Sequence, residues 1–192
     1  MIKEIDLDKN ATYINSVIIT LGNFMRFFID SIRMSVQEKN WFAALFISLS
    51  MPDICAATEN PKKEKGTLGP KYQDWFNRYL KEKYGMGHNP ATHFTARDCW
   101  LSRCTCLHAG LNAESKKRMM SFRFTPPIRD GWVIHLGNNN GVLQLQIDVF
   151  ANDMCSAVEA WLDDVKDNCE IQSRINEIMK IDKEPLAGIL KY

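Results

Sequence analysis

The sequence has almost no excess of either charge: 24 Lys and Arg stand against 23 Asp and Glu, for a formal net charge of +1. A near-neutral chain has no global field to gather a polyanion, so any contact with nucleic acid must use local patches. Long apolar runs are also missing. No stretch reaches the roughly 18 uninterrupted apolar residues of a membrane span, and the run from Trp41 to Leu49 suits a buried helix. The first residues, MIKEIDLDKN, lack the basic start and apolar stretch of a secretory signal. There is no internal repeat and no low-complexity tract. These absences lead us to expect a soluble, cytoplasmic protein without membrane contacts. Cysteine is present at positions 55, 99, 104, 106, 155 and 169. A chain of this size without an export signal has little need of disulfides, so the thiols are expected to be reduced, small core residues.

With 192 residues, 45% of them hydrophobic, the chain can bury a real core and suits one domain. Residues 12–36 place Ile14, Val17, Ile18, Leu21, Met25, Phe28 and Ile32 at helical spacing, with Thr12 or Asn10 as a cap. A second helix is expected from about Asn40 to Glu59, with a kink or break near Ser50 because Pro52 lies inside it. NPKKEKGTLGP, with Lys62, Lys63 and Lys65, reads as a wet loop. A third helix runs from Lys71 to Tyr84 and presents Trp75, Phe76, Tyr79 and Leu80 on one face. A fourth spans about Ala91 to Ala109, with Gly110 as its stop.

The pattern then shortens to β-like runs at Phe122–Thr125, Trp132–Leu136 and Val142–Ile147. Gly137 to Gly141 is the expected hairpin loop. Asn152 or Asp153 then opens a helix carrying Val158, Trp161, Leu162 and Val165, and a last amphipathic stretch lies near Ile171–Ile181. The tail PLAGILKY is expected at the surface or against a partner. The fold class is therefore mainly α, with a small antiparallel β-hairpin near the C-terminal helices.

The fourth helix carries the chemistry. At about 100° per residue, with Arg103 at zero, Ala96, Leu107 and Trp100 fall at about 20°, 40° and 60°, and Cys99 and Cys106 at about 320° and 300°. Asp98, Ser102 and Thr105 gather near 200–260°, on what reads as the wet side. Arg103 thus sits within the apolar arc. A guanidinium there costs several kcal/mol unless it is paired. Asp53 is equally misplaced, on the stripe of Phe42, Phe46, Leu49 and Ala57. Two misplaced opposite charges are best explained by contact, so an Asp53–Arg103 pair is expected if the helix continues through Pro52. His108 falls at about 140°, beside Cys104, near the negative end of the helix dipole. An imidazole there is suited to acid or base work.

The motif RCTCLHAG after DCWLS, an Arg-x4-His near a helix end, resembles the signature of HEPN domains. LFISLSMPDICAATE resembles the earlier helix of such domains. The likeness covers roughly residues 12–112 of a single domain spanning 1–192; the hairpin and C-terminal helices, about 121–182, lie beyond it. It implies a HEPN-like helical bundle that works as a homodimer, with two signature helices facing one cleft. It also implies a metal-independent endoribonuclease of the toxin or abortive-infection (phage-defence) kind, with RNA as substrate and room for an antitoxin partner. Arg103 would stabilise phosphate charge and His108 would move protons, with no cofactor and no metal. Asp53 would orient Arg103; Asp98 and Cys104 are supporting candidates, Cys104 standing where active members often carry a polar residue. Lys116, Lys117 and Arg118 are candidates for the RNA backbone, and Arg123 and Arg129 follow soon after.

Other readings of these residues stay open. Arg103 can knit two helices as a structural ion pair, and His108 can bond a helix-end carbonyl. Lys116, Lys117 and Arg118 can form a solvated loop. Cys99, Cys104, Cys106 and His108 invite a zinc reading, but only Cys104 and His108 share a face at useful spacing. A Cys–His nucleophile lacks a Gly-rich oxyanion loop. The domain can also be a non-catalytic HEPN-like dimerisation or nucleotide-binding module.

Overall fold

A computed structural model describes residues 23–61, 68–85, 93–107, 117–118, 120–129 and 131–178. The expected helix over 12–22 and its caps, the loop at 62–67, His108, Gly110, Lys116 and the tail from 185 lie outside the described residues. The architecture is mainly helical with a small sheet, as expected. Seven helices are described: α1 (Asn23–Gln37), α2 (Trp41–Glu59), α3 (Leu68–Tyr79), α4 (Lys81–Gly85), α5 (Ala96–Leu107), α6 (Ile147–Asp164) and α7 (Cys169–Asn176). The strands are β1 (Phe122–Thr125), β2 (Gly137–Asn139) and β3 (Val142–Gln146).

α2 is the axis of the fold. It touches α1, α3, α5, α6 and α7. By length and composition it could cross a membrane, with a mean hydropathy of 1.4 over its most apolar window. The same composition is what a helix packed by five neighbours needs. Asn40 caps it, its side chain accepting from the Ala43 N–H at 3.2 Å. Of the expected kink or break near Ser50, the break does not occur: α2 runs as one helix through Pro52. Proline cannot donate to the Ser48 carbonyl, and the buried Ser48 hydroxyl is itself unpaired. Burial of Leu49, Met51, Cys55 and Ala56 on either side of the proline outweighs that loss. Nearby, the Ser50 hydroxyl donates to the Phe46 carbonyl and the Tyr72 hydroxyl to the Leu49 carbonyl.

Three helix boundaries move for local reasons. The third expected helix divides at Leu80, which lets Tyr84 turn into a ring cluster with Phe76, Phe94, His135 and Phe150. α5 begins at Ala96 because Thr95 and Asp98 form a capping box: the Thr95 N–H donates to Asp98 at 2.9 Å and the Asp98 N–H to the Thr95 hydroxyl at 3.2 Å. α6 starts at Ile147, directly from β3, because Ile147, Phe150, Ala151 and Met154 extend the buried stripe.

The sheet has the order β1-β3-β2. β2 and β3 form the antiparallel hairpin, with Gly137 opposite Gln144. β1 joins β3 in parallel, Phe122 opposite Leu143, so the sheet is mixed. The turn is tighter than expected. Asn140 and Gly141 have φ of 52° and 80°, the left-handed pair that an Asn-Gly hairpin turn requires. Gly137–Asn139 therefore pair as a strand. Trp132–Leu136 does not, because Leu136 itself has φ 55° and ends the regular pairing.

Candidate functional site

Asp53 from α2 and Arg103 from α5 meet in an ion pair, Asp53 Oδ2 to Arg103 Nη2. Their side chains are 21% and 17% exposed, so the pair lies mostly in the protein with one side open. The Arg103 guanidinium also lies over the Trp100 ring, 5.3 Å from its centroid. Its Nε is buried and has no partner. One carboxylate oxygen, the Trp100 ring and the adjacent Cys104 thiol therefore hold the guanidinium.

Tyr72 of α3 supports this pair from beneath, and sequence reasoning missed it. Its buried hydroxyl donates to the Leu49 carbonyl at 2.9 Å and lies 3.1 Å from the Cys99 sulfur, joining α2, α3 and α5 at one point. The Tyr72 ring packs edge-on against Trp100, with centroids 5.2 Å apart. Trp100 in turn lies on Gly69; a Cβ there would come within 3.3 Å of the indole. The sequence carried a signal, since Gly69, Tyr72 and Phe76 share one helical face. Trp100, which the wheel placed in the apolar arc, forms one wall of the site.

Asp98 requires a correction. The wheel put it with Ser102 on a wet face, but the two are 1% and 2% exposed. α5 is covered on both sides, so amphipathic reasoning fails for it; of the three polar residues, only Thr105 is exposed. Besides closing the capping box, Asp98 accepts from Arg118 Nε and Nη2, both at 2.5 Å. Burial works to raise the Asp98 carboxyl, but the bonds from Arg118 and Thr95 prevail and hold it below the usual range. Arg118, a candidate RNA contact, is thus engaged by Asp98. Lys117 is exposed.

The thiols are all unpaired. Burial pushes the Cys99 thiol up to about 12. Burial also raises Cys104, against the pull of the adjacent Arg103, so its thiol stays protonated at neutral pH and is a poor nucleophile. Among the described residues, no group of three His, Cys, Asp or Glu converges as a metal site would require. A cavity of about 160 Å³ opens beside Asp53, lined also by Ala56, Ala57, Asn60, Leu68 and Lys71.

The chain matches no protein-family model, no curated protein and no solved structure.

Proposed function

We propose that this protein is a HEPN-like, metal-independent endoribonuclease, of the toxin or phage-defence kind, that cleaves RNA in a cleft shared by two copies. The observation that carries this reading is the half-open Asp53–Arg103 pair. A guanidinium held at one edge and 17% exposed keeps an open side for a phosphate and loses little freedom on binding one. His108 follows five residues later in the Arg-x4-His motif. In the proposed reaction His108 takes the proton of a ribose 2′-hydroxyl, and that oxygen attacks the adjacent phosphorus. Arg103 stabilises the charge that builds on the phosphate oxygens. The P–O5′ bond breaks as the departing oxygen takes a proton from a protonated His108, giving a 2′,3′-cyclic phosphate and a 5′-hydroxyl end.

The test is incubation of purified protein with total RNA in EDTA, followed by end mapping. The wild type should leave cyclic phosphate ends. Arg103→Ala and His108→Ala, checked for folding by circular dichroism, should each lower the rate by about 100-fold or more. The alternative is a non-catalytic HEPN-like dimerisation or nucleotide-binding module. Its support is that Asp53 already balances the Arg103 charge. Absence of cleavage by the wild type would select it.

A further inference from the structure

The stretch from residue 116 to residue 136 concentrates positive charge. It holds Lys116, Lys117, Arg118, Arg123 and Arg129 against one acid, Asp130, so the rest of this +1 chain is net negative. It also leaves large apolar side chains in solvent: Trp132 is 60% exposed and Ile128 72%, with Met120 and Val133 similar. Arg129 lies over the Trp132 ring, 5.4 Å from the centroid. On β1, Phe122 and Phe124 pack inward while Arg123 between them faces out. Among the described residues, neither Arg123 nor Arg129 forms an ion pair with a carboxylate.

Two contacts tether this surface to α5, the helix of Arg103. One is the Asp98–Arg118 pair. The other is Phe94, just before α5, whose ring packs on Phe122 and Phe124 at 5.1 and 5.7 Å. Asp98 lies about 140° around α5 from Arg103, so this surface is tethered to a different side of the helix from the one that bears Arg103. Cations alone would suit any polyanion, and an apolar patch alone would suit a protein. Cations interleaved with an exposed indole suit single-stranded nucleic acid, whose bases stack on aromatic planes while its phosphates meet guanidinium groups.

We infer that this surface is a second RNA-binding site, which holds a single-stranded part of the substrate outside the cleft. One base stacks on Trp132, and phosphates meet Arg123 and Arg129. The inference rests on reading the chain as RNA-directed and does not require cleavage.

The test uses a short fluorescein-labelled 2′-O-methyl oligouridine, which lacks the 2′-hydroxyl needed for cleavage. Its anisotropy is measured with the full chain at several salt concentrations, and circular dichroism verifies each variant. Trp132→Ala and the double change Arg123→Ala with Arg129→Ala should each weaken binding by about ten-fold or more. The double change should also flatten the salt slope by about 1.4, at about 0.7 per lost phosphate contact, whereas Trp132→Ala should leave the slope alone. Affinities for both variants within about two-fold of the wild type, or no binding by the wild type at all, would overturn the proposal. So would Trp132→Ala breaking self-association without changing affinity, which would assign the face to a protein partner. Binding here without any RNA cleavage would uphold this site and sink the ribonuclease reading. Normal binding by the variants of a cleaving enzyme would sink this site alone.

Discussion

Arg103 shows how one misplaced charge can point across a fold. Its wheel position made a buried partner necessary, and Asp53 supplies it from α2. Removing one member of a mostly buried pair strands the other, at about 3–5 kcal/mol for a fully buried site and somewhat less for one with an open side. Arg103→Met is therefore expected to lower stability in urea by about 2–4 kcal/mol. Asp53→Asn combined with Arg103→Met should restore much of that loss, because no charge is then left in the interior. Equal losses in the single and double variants would mean the two side chains do not depend on each other. Cys104, beside Arg103, is drawn toward the thiolate by the cation, but burial prevails and keeps its thiol protonated.

At the scale of elements, the join between sheet and helix depends on a histidine. Gln146 is the N-cap of α6. Its N–H donates to His135 Nδ1 at 3.1 Å, and its side chain accepts from the Ile134 N–H at 2.8 Å. The segment before β2 is thereby pinned to the start of α6. Protonation of Nδ1 would turn the acceptor into a donor and break the pin. Burial lowers the His135 pKa, with the adjacent Lys83 also opposing the charge, while Asp153 and Asp148 pull the other way without prevailing. A depressed folded value means that the unfolded chain takes up the proton first. The associated stability is complete above the unfolded value of about 6.5 and is lost as pH falls through the folded value. Urea midpoints should therefore drop more between about pH 7.5 and pH 5 for the wild type than for His135→Asn, whose amide oxygen can still accept the bond. Parallel drops would show that His135 takes up its proton as readily in the folded chain as in the unfolded one.

The other elements differ in how far their residues announce them. Thr95 and Asp98 are three apart, as a capping box requires, and they set the start of α5. Asn140-Gly141 is the strongest hairpin signal in the chain, and the turn forms there. The parallel pairing of β1 with β3 had no such signal, because no local turn joins the two strands. The continuity of α2 through Pro52 was hidden for a related reason: the local penalty is visible in the sequence, but the burial that outweighs it comes from distant helices.

At the scale of the whole molecule, two large apolar side chains of the central helix are exposed. Phe42 and Phe46 are 75% and 37% exposed and lie on the same stripe of α2 as Asp53. They pack edge-on against each other, with centroids 6.1 Å apart. Under the proposed function this stripe faces the second copy. Phe42→Glu with Phe46→Glu should convert a dimer to a monomer in sedimentation and remove RNA cleavage, leaving the circular dichroism spectrum intact. A wild type that sediments as a monomer at micromolar concentration would defeat the shared cleft. So would a charged double variant that stays dimeric.

The sequence by itself determined which residues had to be explained. Helical periodicity marked the core stripes, and pattern alone showed that Asp53 and Arg103 were charges on apolar faces, because periodicity is a local property of the chain. Only the tertiary structure decided what surrounds them. It turned the supposedly wet side of α5 into a second buried face, drew Arg118 onto Asp98, and set Tyr72 and Trp100 beneath the Asp53–Arg103 pair. Burial on both sides of a helix, and contacts between residues far apart in the chain, depend on how the helices pack; no helical wheel contains that information.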